Sequence, residues 1–325
     1  MNIFLTRDLA MFYRQLSSLL ASGIPIIEAL DSLAHQAGPN RIQAIAMYMK
    51  QDVVDGAPLS EAFAKLTHTF PSWHINVIKY SEKSGHLAAD FDLLAAYLEK
   101  EYSTQLSIVT KLAYPVLLLH IAFVLLPFVN AFTCGAKGYI GGLLGLVLPV
   151  YGLLLLVLAI RYLIQNSPLK IAYDRAVVNV WLIGPVMRQF ALTRFIRALR
   201  CLCTAGVPIV SAWNMAAEAC GNDFLKTAIH NGSLVIEQGQ PISKALIQAG
   251  VFKPQTISMI ASAEKSGTLV QMLTTINTYY EKETDAAIGI ISVVVPTVVY
   301  LLIAGFIGLR IISFYSGYFQ RVSTF

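Results

Sequence analysis

The segment Ser81-Glu82-Lys83-Ser84-Gly85 occurs a second time in the chain, as Ala263-Glu264-Lys265-Ser266-Gly267. Two further elements recur upstream of it in the same order. They are Gly23-Ile24-Pro25, which matches Gly206-Val207-Pro208, and Gly56-Ala57-Pro58-Leu59-Ser60, which matches Gly239-Gln240-Pro241-Ile242-Ser243. The offset between the copies stays at 182 or 183 residues throughout, which chance rarely produces. The chain therefore contains a duplicated module.

The residues kept in both copies are typical of helix ends. Glycine can adopt the left-handed conformation that ends a helix, and proline suits a helix start. An acid near a helix C terminus is unfavourable, so we expect each motif glutamate to have a specific partner within its own bundle. The structural repeat residues that we single out are Gly23, Pro25, Gly56, Ser60, Glu82, Gly85, Gly206, Pro208, Gly239, Ser243, Glu264 and Gly267.

The apolar residues of each copy follow a helical period. In the first helix of copy one they fall at Leu9, Phe12, Leu16, Leu19 and Leu20, and copy two repeats this spacing. No segment shows a convincing alternation of apolar and polar residues, which is the pattern of strands. The sequence therefore predicts two homologous bundles of six helices each.

The composition indicates a membrane protein. Of 325 residues 56% are hydrophobic and only 13% are charged, and the mean hydropathy is +0.60. Three uncharged runs, 112–136, 138–160 and 286–309, reach the roughly 20 residues that a spanning helix needs. We predict spans at about 112–133, 141–163 and 286–312. The last helix of each bundle lacks Gly and Pro before its span, which predicts that it continues into the membrane unbroken.

These observations give an all-α membrane protein with the following domains: cytoplasmic bundle 1 at 1–110, a transmembrane hairpin at 111–164, cytoplasmic bundle 2 at 165–285, a third transmembrane helix at 286–312 and a short extracytoplasmic tail at 313–325. Positively charged segments of membrane proteins favour the cytoplasmic side. Of the 24 lysines and arginines 21 lie in 1–111 and 161–285, so we predict that these two segments are cytoplasmic. No apolar signal core follows Met1, which also predicts a cytoplasmic N terminus.

The sequence carries no catalytic signature. It has no phosphate-binding G-x-x-x-x-G-K-[ST] loop, no H-E-x-x-H and no G-x-S-x-G, and its histidines lack ligand spacing. The four cysteines form no C-x-x-C pair, and Cys203 stands where copy one has Leu20. We therefore predict no enzyme activity, no metal, no cofactor and no nucleic-acid binding. A transporter or channel subunit is the alternative, although only His120 and Asn130 are notable polar residues near a span.

Several motifs together resemble one known family. The motifs are Ala-Ser-Gly-Ile-Pro-Ile-Ile-Glu-Ala-Leu (21–30), Asp-Gly-Ala-Pro-Leu-Ser-Glu-Ala-Phe (55–63), Phe70-Pro71, Ser-Glu-Lys-Ser-Gly-His-Leu (81–87) and Tyr97-Leu98-Glu99 before the first span. Together they are similar to the type II secretion system F and type IV pilus platform family. The second copy departs from this pattern, because Phe252-Lys253-Pro254 stands in place of Phe70-Pro71.

The resemblance implies a multi-pass protein of the bacterial inner (cytoplasmic) membrane without enzymatic activity. It implies coupling of a cytoplasmic secretion or pilus ATPase to the assembly of pilins or pseudopilins. The expected partners are that ATPase, the pilins or pseudopilins, other inner-membrane assembly proteins, membrane lipid and further copies of the chain in a homo-oligomer. Pilus, secretion and competence machines all remain open.

Overall fold

The regular structure of the chain is helical throughout the residues described by the computed structural model, which are 3–36, 40–164, 170–181 and 184–323. The all-α class predicted from the sequence is confirmed. The helices are α1 (Ile3–Ala21), α2 (Ile26–His35), α3 (Asn40–Val54), α4 (Leu59–Ala64), α5 (Ser72–Ser84), α6 (Leu87–Leu125), α7 (Phe128–Ile164), α8 (Lys170–Asn179), α9 (Gly184–Thr204), α10 (Ile209–Ala219), α11 (Asp223–Glu237), α12 (Ile242–Ala249), α13 (Pro254–Ser266) and α14 (Leu269–Ser323).

The chain forms two compact units. The first comprises the chain up to Leu106 together with Ile171–Asp285, and so contains both copies of the duplicated module. The second comprises Ser107–Lys170 and the chain from Ala286 onwards, which holds the apolar stretches. The two bundles are therefore packed into one body.

Bundle 1 is built from α1 to α5 and the beginning of α6, six helices as predicted. Its core is rich in aromatic rings, because Phe12, Tyr13, Phe63, Phe70 and Phe91 are all at most 1% exposed. The rings of Phe63 and Phe70 lie 4.6 Å apart in an edge-on arrangement. Such pairs favour this geometry, and the large apolar area that they bury stabilises the bundle.

Bundle 2 is built from α9 to α13 and the beginning of α14, again six helices. Its core has fewer aromatic residues, with Phe195, Trp213 and Tyr280 almost fully buried. One more helix, α8, precedes this bundle, and the sequence analysis did not predict it. Only Val178 of α8 is buried, so the helix carries no apolar stripe that could have revealed it.

Prolines open many of the bundle helices. Pro25, Pro58, Pro71, Pro208 and Pro241 each stand at the N-cap, directly before the first helical residue. Proline presets a backbone angle that suits a helix start, but it offers no side-chain acceptor. The first N–H groups of these helices therefore need acceptors from elsewhere in the chain.

The second unit contains apolar helix stretches with exposed side chains. Three helices in the described ranges are long and apolar enough to cross a membrane: Leu87–Leu125, Gly135–Ile164 and Leu269–Leu309. The bent pair α8 and α9 passes the same test as a broken span, but α9 carries four arginines and its apolar face is buried in bundle 2. Charges of that density are costly in lipid. We therefore assign α9 to the bundle.

The long helices α6 and α14 run unbroken from a bundle into an apolar stretch, which confirms the predicted continuity. Helix α6 ends at Leu125, inside the first span predicted at about 112–133, because Pro127 follows and disfavours helical backbone just before it. Helix α7 is interrupted at Gly135, whose φ of 65° and ψ of −159° are not helical. The predicted hairpin turn between 133 and 138 contains this glycine.

Candidate functional site

Glu82 caps the N terminus of the short helix α4. The backbone N–H of Leu59 donates to Glu82 Oε1 at 2.6 Å, and the N–H of Ser60 donates to Oε2 at 3.2 Å. The Ser60 hydroxyl also donates to Oε2, at 2.8 Å. Because Pro58 provides no side-chain acceptor, the carboxylate of a neighbouring helix performs the capping that an N-cap residue usually provides.

Glu264 forms the same arrangement in bundle 2. The N–H of Ile242 donates to Oε1, the N–H of Ser243 donates to Oε2 at 3.2 Å, and the Ser243 hydroxyl donates to Oε2 at 2.7 Å. Two repeat residues of each copy, the serine and the glutamate, are thus explained by one contact. We call these two arrangements the Glu caps. They supply the internal partner that the sequence leads us to expect for each glutamate.

The repeat glycines lie at chain reversals with positive φ. Gly85 and Gly267 follow α5 and α13 at φ values of 77° and 71°, and each donates its N–H to a carbonyl of the last turn. The remaining four have φ values between 72° and 89°: Gly23, Gly56, Gly206 and Gly239. Left-handed backbone is accessible to glycine without strain. These positions shape the bundle and do not converge on a pocket.

A charged contact joins the two bundles. Arg197 of α9 is only 3% exposed and bonds to Glu281 of its own bundle at 3.1 Å and to Glu101 of bundle 1 at 3.3 Å. Its guanidinium also lies 5.5 Å from the ring centre of Tyr97. Arg194 pairs with Glu101 as well, at 3.4 Å. We call Arg194, Arg197 and Glu281 the arginine site of bundle 2.

The burial of Arg197 comes from bundle 1. Tyr97 and Glu101 are four residues apart on α6 and therefore lie on one helix face. This face covers Arg197, and the Lys100 ammonium adds a further ion pair between the bundles, to Asp285 at 3.1 Å. A planar guanidinium that pairs with two carboxylates and stacks on a ring suits such a buried position.

Bundle 1 contains the equivalent arginine site in an open state. Arg14 corresponds to Arg197 and bonds to Glu99, the counterpart of Glu281, at 2.8 Å. It also pairs with Asp92. Yet the side chain of Arg14 is 41% exposed, and those of Asp92 and Glu99 are 55% and 48% exposed. We call Arg14, Asp92 and Glu99 the arginine site of bundle 1.

The covering segment, which begins with the motif Tyr97-Leu98-Glu99, is duplicated as well, although its second copy was not singled out from the sequence. Tyr97-Leu98-Glu99-Lys100-Glu101 recurs at an offset of 182 residues as Tyr279-Tyr280-Glu281-Lys282-Glu283. The signal was present in the sequence, but only an alignment of α6 with α14 beyond the Ser-Gly motif reveals it. We call these stretches the Tyr-Glu segments.

The buried polar pair of each core differs between the copies. In bundle 1 the Tyr13 hydroxyl lies 3.2 Å from His74 Nδ1, and both groups are fully buried. Burial lowers the pKa of His74 to about 3, so its ring is neutral near pH 7. In bundle 2 Thr256 occupies the place of His74 and contacts the Tyr280 hydroxyl at 3.2 Å.

The cysteines of bundle 2 behave as small apolar residues. Cys201 and Cys220 are buried and free, and burial raises the pKa of the Cys201 thiol to about 11. Cys203 packs beside the core, as its place opposite Leu20 suggests. No group of three or more His, Cys, Asp or Glu side chains is arranged for a metal within the described residues. The side chain of Cys134 lies outside them.

His120 has partners for both ring nitrogens inside its helix pair. Nδ1 lies 2.7 Å from the Val116 carbonyl and Nε2 lies 2.5 Å from the Tyr151 hydroxyl. Since a carbonyl can only accept, Nδ1 donates to it, and Nε2 shares a hydrogen bond with the Tyr151 hydroxyl. The residue is thus a satisfied polar group linking α6 to α7. The side chain of Asn130 lies outside the described residues.

The sequence profile of the family "Type II secretion system (T2SS), protein F" matches the chain twice, at residues 12–134 and 195–317. The chain belongs to the type II secretion system protein F family. Each match covers most of one bundle and the apolar stretch that follows it. The family assignment, the internal duplication and the membrane helices therefore agree.

Relatives come from both secretion and pilus machines. "Type II secretion system protein F" of Vibrio cholerae serotype O1 is 29% identical over 311 residues, which cover 88% of this chain and 76% of the relative. "Type IV pilus assembly protein PilC" of Thermus thermophilus is 28% identical over 339 residues, covering 98% and 83%. "Type II secretion system protein F" of Pseudomonas aeruginosa is 28% identical over 308 residues, covering 87% and 75%.

Proposed function

We propose that this chain is the inner-membrane platform of a type IV pilus or type II secretion machine and couples a cytoplasmic assembly ATPase to the assembly of pilin or pseudopilin subunits. The observation that carries the proposal is the double family match, in which each bundle is followed by an apolar helix of membrane-spanning length. The chain itself is not an enzyme in this proposal, and its repeat residues maintain the bundles.

The proposed arrangement places both bundles in the cytoplasm, where the ATPase binds them, with the N terminus on the same side. Three spans cross the inner membrane and contact the apolar helices of stored pilins and the other assembly proteins. The unbroken helices α6 and α14 support this proposal, since a continuous helix transmits a rotation of a bundle to its apolar stretch.

The decisive experiment combines genetics with co-purification of the full chain. In-frame deletion of the gene should abolish surface pili or the secretion of the machine's substrates, and the wild-type gene should restore them. The full chain, extracted in mild detergent, should retain the assembly ATPase of the same cell. A fractionated cell should contain the chain in the inner membrane.

A membrane protein of similar size expressed with the same tag controls for non-specific retention of the ATPase. Normal piliation and secretion in the deletion strain, together with no retention of the ATPase, would contradict the proposal. Solute flux through vesicles that contain only the purified chain would favour the transporter alternative instead.

A further inference from the structure

The two bundles each contain one arginine site and one Tyr-Glu segment, but only one site is covered. The Tyr-Glu segment of bundle 1 covers the arginine site of bundle 2 through Tyr97 and Glu101. The arginine site of bundle 1 stays open, with Arg14 41% exposed where Arg197 is 3% exposed. The Tyr-Glu segment of bundle 2 is partly exposed, with Tyr279 half-buried and the side chain of Glu283 24% exposed. One contact is therefore formed, and the elements for a second, equivalent contact are present.

The Tyr-Glu segment of bundle 2 presents a defined set of groups together with Lys253, the residue before α13. Tyr279 and Glu283 are the counterparts of Tyr97 and Glu101, and the Tyr279 hydroxyl donates to Glu283 at 2.6 Å. Lys253 adds a positive charge to this face: it pairs with Glu283 and its ammonium lies 5.8 Å from the ring centre of Tyr279. The side chain of Lys253 is 49% exposed. We call Lys253, Tyr279 and Glu283 the α14 face.

The charges that differ between the copies change together on both sides of the contact. Lys253 stands at the N-cap of α13, where the equivalent helix α5 of copy one has Pro71, so the α14 face gains a positive charge that the equivalent face of α6 lacks. The arginine site of bundle 1 gains a negative charge, because Asp92 stands where bundle 2 has Thr274, and it loses a positive one, because Met11 stands where bundle 2 has Arg194. Lys253 on the α14 face and Asp92 in the arginine site of bundle 1 thus give these two surfaces complementary charges.

We propose that the α14 face of one chain docks on the arginine site of bundle 1 in a second copy of this chain, repeating between molecules the contact that joins bundle 1 to bundle 2 within one molecule. The proposal rests on the self-association included in the proposed function and names its surfaces. The contact is head-to-tail, since each copy uses a different surface, and repetition of such a contact generates a ring if the rotation closes.

Lys253 and Asp92 carry the specificity of this contact. Each already pairs with a group of opposite charge, Lys253 with Glu283 and Asp92 with Arg14, and its side chain stays about half exposed, so each can gain a further partner on docking. Tyr279 supplies an aromatic surface for Arg14, as Tyr97 does for Arg197. Because the charged groups are partly exposed, the contact weakens as the salt concentration rises.

The test is a charge exchange in the full-length chain, purified in detergent and examined by sedimentation equilibrium. Lys253→Glu and Asp92→Lys each place like charges across the contact and should weaken association by at least about tenfold. The double variant Lys253→Glu/Asp92→Lys restores opposite charges and should recover most of the wild-type association. A variant that fails only because it misfolds would not be rescued in this way.

Lys244→Glu is the matched control, because it reverses an exposed lysine of bundle 2 on α12, whose ammonium bonds to Gln240 and not to a member of the α14 face, and it should leave association unchanged. The inference would be overturned if neither single variant weakened the oligomer, or if the double variant did not restore it. Self-association itself would stand in both cases. A wild-type chain that stays monomeric in detergent and in vesicles would overturn both. Retention of the ATPase by the monomer would then show that the proposed coupling role survives.

Discussion

Bundle 1 and bundle 2 use the same ion pair in two different environments. Arg14 with Glu99 and Arg197 with Glu281 occupy equivalent places, yet the first pair is open to solvent and the second is covered by α6. Exposed pairs contribute little to stability, whereas removal of one partner from a buried pair leaves a desolvated charge. The same Arg–Glu pair is present in both copies. Its contribution to stability therefore depends on whether another helix covers it.

The two arginine variants test this comparison most strongly. We expect Arg197→Gln to lower the free energy of unfolding by about 3 kcal/mol, because Glu101 and Glu281 lose their common partner in a confined place. Arg14→Gln should lower it by less than about 1 kcal/mol. Chemical denaturation of the chain in detergent, with both variants in the same oligomeric state, measures the difference.

A conservative change controls for the loss of charge alone. Arg197→Lys keeps the charge but cannot pair with two carboxylates through a planar fork, so it should fall between Arg197→Gln and the wild type. Equal losses for Arg14→Gln and Arg197→Gln would contradict the argument from burial.

The Glu caps test whether the copies are equivalent where their environments match. Glu82→Gln and Glu264→Gln each weaken charge-assisted bonds to two backbone N–H groups and a serine hydroxyl. Each should therefore destabilise its bundle by about 1.5 to 3 kcal/mol. Thermal unfolding followed by circular dichroism measures both.

The exposed Glu61 on α4 provides the control, because Glu61→Gln removes a charge from the same helix without touching the cap. It should change stability by no more than about 0.5 kcal/mol. A loss at Glu82 without a loss at Glu264 would show that the caps are not equivalent.

The buried His74 adds an acid sensitivity to bundle 1 that the equivalent Thr256–Tyr280 pair does not give to bundle 2. The pKa of His74 is lowered to about 3 in the folded state, below its usual value near 6.5. Below pH 6.5 the unfolded chain binds a proton at His74 that the folded chain does not bind. The contribution of His74 to the free energy of unfolding is therefore fully present above about pH 6.5. It falls by about 1.4 kcal/mol per pH unit below pH 6.5, until the folded pKa is reached. Unfolding measured between pH 7 and pH 4.5 should show this slope.

His74→Gln should remove the slope, because glutamine does not titrate and still offers a partner to the Tyr13 hydroxyl. His68→Gln removes an exposed histidine from the same bundle and serves as the control. An unchanged slope in His74→Gln would show that another group causes the acid sensitivity.

The helix ends were predictable from the sequence because they depend on local chemistry. Glycine and proline restrict the backbone at their own positions, so Gly23, Pro25 and Gly85 revealed helix boundaries without any knowledge of packing. The same holds for the apolar stretches, whose length and composition alone indicate spans.

The contacts between distant helices were not predictable in the same way. Tyr13 and His74 are 61 residues apart, and Arg197 and Glu101 are 96 residues apart. Only the packed structure brings such residues together, and a single sequence contains no signal of their proximity. The Glu caps lie between these cases, because the unfavourable position of Glu82 indicated a partner but did not identify α4.

The smallest predicted effect concerns the glycines that end α5 and α13. A Cβ added at Gly85 or Gly267 meets no atom within 4 Å, so a substitution there costs backbone strain alone. We expect Gly85→Ala and Gly267→Ala to destabilise their bundles equally, by about 1 kcal/mol, because φ is 77° in one and 71° in the other. Asparagine tolerates this conformation better than alanine, so Gly85→Asn and Gly267→Asn should lose less. Thermal unfolding of the four variants compares the two copies with each other, and alanine with asparagine at each position. A much larger effect in one copy than in the other would reveal a contact at that turn which the backbone angle does not explain.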